Sequence, residues 1–221
     1  MTKGIWVIWN YRNLEANYPG FNEIYIGRAW FKNKPTLKEI ADYRKKCNNN
    51  GIKMYWIVTC FADPNEKRTE YKIKEDIKRY SKVSDGICLD YIRHKTIKLP
   101  TLSNTKCIEN MCAFAKQHTN ILKIAVFPFI SSFLYGQNYF RLFKYGILQP
   151  MMYPQDMLGI TNEFSNKINL FLLKILKIMF PNSEPCLQGW NRKKSDLEKD
   201  IKLLKNNYSI YRYNEYNKLG D

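Results

Sequence analysis

Three observations predict an α/β fold, a compact (β/α)8 TIM barrel. Eight strand-like runs recur along the 221 residues, and helix-like segments separate nearly all of them. No Gly-rich phosphate turn follows an early strand, as it would in the rival doubly wound sheet. Strands alternating with helices indicate a parallel sheet. A barrel of eight such units takes roughly 250 residues, or about 200 at the short end. With no internal repeat, low-complexity tract or linker, one TIM-barrel domain over residues 1–221 is expected.

The elements follow in order. Residues 5–9, Ile-Trp-Val-Ile-Trp, read as the first strand, and 23–27 as the second. The stretch 10–22 between them is too short for a full helix, so the first crossover helix is short or missing. Thr36-Leu-Lys-Glu39 is a capping box, in which hydroxyl and carboxylate each satisfy a backbone N–H at a helix start. That helix stops at Asn48-Asn-Asn-Gly51, where glycine supplies a left-handed cap. The third strand is 52–60, followed by a charged helix from about 66 to 80. The fourth strand is 86–90, with a helix from about 103 to 118 after it. The fifth strand is 122–127. An aromatic-rich segment, 133–145, leads to the sixth strand, 147–153. The next helix is predicted to bury Ile168, Phe171, Leu172, Ile175 and Ile178, with Lys174 and Lys177 off that stripe. Strand seven is 186–190. Ser195-Asp-Leu-Glu198 reads as a second capping box, and 209–213 as the eighth strand.

Thirty-six Lys and Arg against 20 Asp and Glu give a net charge of +16. Such a charge favours an acidic partner: a nucleic acid, an anionic glycan or an anionic surface. A generally Lys-, Asn-, Ile- and Tyr-rich composition is the bland alternative. The six cysteines contain no C-x-x-C pair, which argues against a zinc ribbon or redox motif. Cys60, Cys88 and Cys186 lie in apolar runs and are expected to be buried. Scattered thiols suit a reducing compartment. Met1-Thr2-Lys3-Gly4 runs straight into a strand without a signal-peptide pattern. The expected location is cytoplasmic, or outside after release without a classical signal peptide. The longest apolar stretch, 168–180, is interrupted by Lys174 and Lys177 and is too short to span a membrane. No metal or cofactor is expected, since there are two histidines, no P-loop and no acidic calcium loop.

Active sites of such barrels lie at the carboxyl ends of the strands. Asp85 and Glu184 precede strands and belong at the opposite face, whereas Asp63, Asp90, Asp156 and Glu215 end or follow strands. Alternation along the fourth strand puts Ile87, Leu89 and Tyr91 on one face and Gly86, Cys88 and Asp90 on the other. With the apolar set against the helices, Asp90 points into the barrel mouth. A carboxylate there is costly unless paired or functional. Arg93 and Arg28 are candidate partners, and a structural Asp–Arg brace is the competing explanation.

Asp85-Gly-Ile-Cys-Leu-Asp90-Tyr-Ile-Arg93 resembles the fourth strand of barrel glycosidases. Chitinase-type glycoside hydrolases read D-G-I-D-I-D-W-E there. An uncharacterised group of glycosyl-hydrolase-like TIM barrels, reading D-G-I-x-L-D-Y-I/V-R, is the nearer resemblance. It extends to Ile57-Val-Thr-Cys-Phe-Ala-Asp63, Gln149-Pro-Met-Met-Tyr-Pro154, Leu187-Gln-Gly-Trp190 and Tyr211-Arg-Tyr213, in order, across five strands. The resemblance implies glycoside hydrolysis, and Met151 and Tyr153 resemble the sixth strand of the chitinase-type enzymes, where the Tyr helps hold the substrate's acetamido group. Two departures from the chitinase pattern stand out. Cys88 replaces the middle Asp, and Ile92 stands where the proton-donating Glu belongs.

Glycoside hydrolysis ordinarily needs two carboxylates, a general acid and a nucleophile or base. Asp90 is one. Asp156, three residues past Tyr153, is the first choice for the second; Glu215 follows, and Asp63 competes although it can simply start a turn. Trp9, Trp30, Tyr91, Tyr153, Trp190, Tyr211 and Tyr213 fall near strand carboxyl ends, where rings could stack on sugar faces; core packing is the alternative. Gln149, Gln188, Tyr153 and Trp190 share the inward parity, and positive charge from Arg93, Arg192, Lys193, Lys194 and Arg212 is expected to gather at the fourth, seventh and eighth strand ends. The leading expectation is therefore a glycosidase acting on a polysaccharide, with cell-wall, amino-sugar or anionic glycans as substrate classes. Two alternatives remain: a glycan-binding barrel that has lost its acid, and a nucleic-acid binder supported by charge alone.

Overall fold

The structure, a computed structural model, describes residues 2–8, 16–27, 35–62, 67–94, 102–153, 163–189 and 193–211. Eight parallel strands close into a barrel: β1 (Lys3–Ile8), β2 (Glu23–Gly27), β3 (Lys53–Thr59), β4 (Gly86–Asp90), β5 (Leu122–Val126), β6 (Ile147–Met152), β7 (Cys186–Gln188) and β8 (Tyr208–Tyr211). Each strand pairs with its neighbours in sequence, and β1 closes the ring on β8. The helices are α1 (Leu37–Asn49), α2 (Glu70–Tyr80), α3 (Leu102–His118), α4 (Phe129–Leu134), α5 (Tyr139–Leu142), α6 (Glu163–Met179) and α7 (Lys194–Leu204). Between β1 and β2 the described residues, 16–22, hold no helix, and residues 9–15 of that crossover lie outside them. The aromatic-rich segment after β5 folds into the short helices α4 and α5.

Strand alternation builds two cores. Ile5, Ile24, Ile26, Met54, Trp56, Ile87, Leu89, Ile124 and Leu187 face outward and pack under the helices. Trp6, Tyr25, Tyr55, Cys88, Tyr153 and Cys186 face inward and fill the barrel. Because a side-chain period of two puts alternate residues on opposite faces, both sets are readable in the sequence.

At the amino end of the strands the interior is closed by an ionic floor. Lys123 Nζ lies 2.5 Å from Glu184 Oε2 and 3.2 Å from Glu23 Oε2. Tyr55 donates to Glu23 Oε1 at 3.1 Å, and Tyr25 to Glu23 Oε2 at 2.5 Å. All five side chains are buried. Asp85 also sits at this end, accepting the Met54 N–H at 2.8 Å and pairing with Arg44. The assignment of Asp85 and Glu184 to the face opposite the mouth is thus correct.

Three expectations are corrected. The capping box at Thr36 forms, with the Glu39 N–H donating to Thr36 Oγ1 at 3.2 Å, but the one at Ser195 does not. Helix α7 starts at Lys194, its N-cap is Lys193 without a side-chain bond, and Ser195 lies inside the first turn. The charged helix before β4 starts later than 66, behind Thr69, which accepts the Lys72 N–H at 3.3 Å. Helix α6 is rotated from the predicted face: of the five residues expected to be buried, Leu172 packs partly buried against the core, and Ile168 and Ile175 are half-buried. Ser165, Asn169, Leu173 and Leu176 turn toward the barrel, while Phe171 and Ile178 are exposed. Two of the buried four are polar, and Asn169 donates to buried Asp200 of α7 at 2.7 Å. A hydrogen-bonded pair between helices sets the rotation of α6, which hydrophobicity alone cannot reveal.

Candidate active site

Strand β4 delivers Asp90 to the mouth. Gly86, Cys88 and Asp90 face the interior, and Ile87 and Leu89 lie in the outer core. Asp90 pairs in register with Thr59 of β3, and its carbonyl accepts the Cys60 N–H at 2.8 Å. The residue is 9% exposed, so its carboxylate is held at the rim rather than in bulk water. The Tyr91 N–H donates to Asp90 Oδ1 at 2.7 Å. Tyr91 has φ of +51°, a left-handed conformation that side chains disfavour.

That turn ends the alternation. Ile92 is fully buried and belongs to the outer core with Leu89, Ile108 and Met111. Position 92 therefore does not present a side chain to the barrel interior. Even-numbered parity from Cys88 and Asp90 does not carry on to it.

Cys88 stands below Asp90. Its Sγ donates to Gln149 Oε1 at 3.3 Å. Burial, reinforced by the nearby Asp90 charge, holds the thiol well above its ordinary pKa. It is a neutral packing group. Gln149 and Gln188 face the same interior and are fully buried, and Gln149 Nε2 has no hydrogen-bond partner among the described residues. Tyr153, just past β6, is also buried and donates to Cys186 Sγ at 3.2 Å. Burial raises its pKa, with Cys186, Tyr211 and Asp90 adding to the effect, so the phenol stays protonated.

A chain of ring contacts crosses the barrel. Tyr55 stacks on Tyr25 at 5.1 Å between centroids, and Tyr25 on Trp6 at 5.3 Å. Trp6 meets Tyr211 edge-on at 5.8 Å, and Tyr211 stacks on Tyr153 at 5.6 Å. Trp6 Nε1 is satisfied by Ser209 Oγ at 3.1 Å. Five rings from β1, β2, β3, β8 and the end of β6 thus form the bed beneath the mouth. Beyond the rim aromatics expected from the sequence, the structure adds an inner three, Trp6, Tyr25 and Tyr55, whose inward parity is the signal that locates them.

Arg93 completes the described site. Its Cζ lies 4.3 Å from the Phe127 centroid, 5.3 Å from Tyr91 and 5.4 Å from Tyr135. Burial lowers its pKa and the Asp90 charge opposes that shift. The guanidinium is held by rings, and no carboxylate or carbonyl among the described residues accepts from it. For the competing explanation, an Asp–Arg brace, Arg93 is an electrostatic neighbour of Asp90 without an ion pair, and Arg28, the other candidate partner, lies outside the described residues.

Of the other sequence candidates, Trp9, Asp156, Trp190, Arg212 and Glu215 lie outside the described residues, as do Arg28, Trp30, Asp63 and Tyr213. Of the charges expected to gather at the strand ends, Arg93 follows β4 and Lys193 and Lys194 follow β7, while Arg192 and Arg212 lie outside the described residues. Exposed lysines such as Lys38, Lys72, Lys106, Lys167 and Lys199 occur on each of the five longer helices.

No protein-family model matches the chain, and no curated protein does. Solved structures do. The spore cortex-lytic enzyme SleL of Bacillus megaterium QM B1551 superposes with a TM-score of 0.63 at 12% identity, over 96% of this chain and 70% of that one. This likeness is one of fold. A family 18 chitinase from Crocus vernus gives 0.56 at 9% identity, covering 97% and 94%. Pyruvate carboxylase of Rhizobium etli gives 0.55 at 12% identity over 87% of this chain and 19% of that one. The same barrel therefore serves unrelated chemistries, and function has to be argued from the site.

Proposed function

We propose that this barrel is a glycoside hydrolase acting on a polymeric glycan, with Asp90 as one of its two carboxylates. The observation that carries the reading is the placement of Asp90: inward-facing, at the carboxyl end of β4, fixed by the Tyr91 amide over a bed of aromatic rings. A carboxylate held there could act as nucleophile, base or stabiliser of an oxocarbenium-like transition state. Asp156 or Glu215 would supply the partner, since position 92 faces the outer core. The glycan is an acidic one. Arg93 offers a ring-supported guanidinium beside Asp90, and such a planar fork suits a sugar carboxylate. Tyr153, Trp190, Gln149, Gln188, Arg212 and Trp9 would line or support the cleft.

One specific observation favours a second reading, a glycan-binding barrel without turnover. Of the two positions at which chitinase-type enzymes carry further acids, one is the neutral Cys88 and the other is the outward Ile92. The two readings part in one experiment. Neutral and uronate-containing wall polysaccharides are incubated with the protein, and new reducing ends are measured. Release that Asp90→Asn abolishes supports the hydrolase. Binding without release supports the second reading.

A further inference from the structure

Helix α6 carries more apolar surface than the barrel uses. The face turned inward holds Ser165, Asn169, Leu173 and Leu176. On the outward side Phe164, Phe171 and Ile178 are 65%, 61% and 82% exposed, with Ile168 and Ile175 half-buried between them. Their spacing of four, three, four and three residues puts all five on one helix face. At about 1.5 Å per residue the stripe is about 21 Å long. Scattered apolar residues on a surface need no explanation, but a continuous stripe does. At its end Met179 and Phe180 enter an open groove of about 520 Å³ that also holds Phe140 and Phe143.

The charges around this surface select its occupant. Exposed Lys167 and Lys174 follow Phe164 and Phe171 by three residues, and Lys116 and Lys144 line the groove. Glu163, paired with Lys167 at 2.7 Å, is the one carboxylate of α6. A second copy of the chain would bring the same lysines and another net charge of +16 to the contact, and antiparallel pairing of two such helices sets the lysine rows against each other. A surface that is both apolar and anionic matches instead. A helix with Phe and Ile along one face and Lys beside them is built to lie in the headgroup layer of a membrane. It does not span: no helix among the described residues is long and apolar enough to cross.

We propose that α6 and the adjoining groove dock on an anionic phospholipid surface, with the helix in the plane of the interface. Phe164, Phe171 and Ile178 would enter the acyl boundary, and Lys167 and Lys174 would meet lipid phosphates. This holds or fails independently of what the barrel mouth does.

The test is co-sedimentation of the full chain with phosphatidylcholine vesicles prepared with and without phosphatidylglycerol, beside sedimentation velocity of the protein alone. The expected result is binding to the anionic vesicles, weakened by salt and weak on phosphatidylcholine alone. The double variant Phe171→Glu/Ile178→Glu, whose positions face solvent, should lose about tenfold or more of that binding, since each removes an apolar anchor and adds repulsion. Its circular dichroism should match the wild type. Lys167→Ala/Lys174→Ala should weaken anionic binding alone. Three results would overturn the proposal. One is no preference for anionic vesicles. Another is undiminished binding by the Glu variant, which would assign the attraction to diffuse charge. The third is a dimer that the Glu variant converts to monomer, which would make the stripe a contact between copies.

Discussion

The Tyr91 amide donates to the Asp90 carboxylate at 2.7 Å, and Tyr91 itself turns left-handed at φ +51°. One residue on, the side chain of Ile92 is buried among outer-core residues. The turn thus fixes Asp90 and removes position 92 from the interior. Ile92→Glu should therefore not create a proton donor. It should bury a carboxylate beside Leu89 and Met111, a change in the class that costs more than about 3 kcal/mol. Urea unfolding should show a collapse of stability with no gain in reducing-end release. A stable Ile92→Glu protein with raised activity would contradict this geometry.

The ionic floor makes a pH prediction. Burial holds the Glu184 pKa above the ordinary glutamate value, against the lowering pull of Lys123. Above the unfolded-state pKa and below the raised folded one, the native chain keeps a proton that the unfolded chain has released. Stability from this group is then present at the acid end and is lost as pH rises through that window. Urea midpoints followed upward from about pH 4, near the unfolded glutamate pKa, should fall more in the wild type than in Glu184→Gln. Equal slopes would contradict the assignment. Lys123→Met, which strands two buried carboxylates, should cost about 3 to 5 kcal/mol.

Thiol reactivity reports the two cores separately from the mouth. Cys47, Cys60, Cys88, Cys112 and Cys186 are buried, and Cys107 is exposed. Burial raises Cys60, Cys88 and Cys186, and moves Cys47 up to about 11. The native protein should react with Ellman's reagent at one thiol quickly and at all six only after denaturation. Fast modification of Cys88 would show an open barrel interior.

Arg93 predicts substrate charge. Arg93→Gln should raise KM for a uronate-bearing glycan by about tenfold or more, as loss of a charge-assisted hydrogen bond would, and leave a neutral glycan unaffected. Equal effects on both would make Arg93 a packing residue of the Phe127–Tyr135 cluster.

The strands were legible because their alternation is unambiguous: Ile87 and Leu89 against Cys88 and Asp90 separate outside from inside with no further information. The mouth position of Asp90 follows from the same parity. Parity failed at Ile92, where a single left-handed residue resets it, and nothing in Tyr91 announces that conformation. It failed on α6 for a different reason. Two helix faces there are apolar enough to compete, and the Asn169–Asp200 bond between α6 and α7 decides between them. The floor was half visible. Glu184 was placed at the correct end, but Lys123, inside an apolar strand, reveals its partners only once β2 and the start of β7 are brought beside β5. Arg93 illustrates the same limit, since its cage of Tyr91, Phe127 and Tyr135 comes from three segments.

The most direct test of the account is turnover by Asp90→Asn on a polysaccharide that the wild type cleaves. The amide keeps the shape of Asp90 and can still accept the Tyr91 N–H, but it cannot serve as base, nucleophile or anionic stabiliser. The account predicts a rate loss of about 100- to 10,000-fold, with glycan binding, measured by calorimetry, nearly unchanged. An Asp90→Asn protein that releases reducing ends at the wild-type rate would contradict it and leave Asp90 a structural group of the rim.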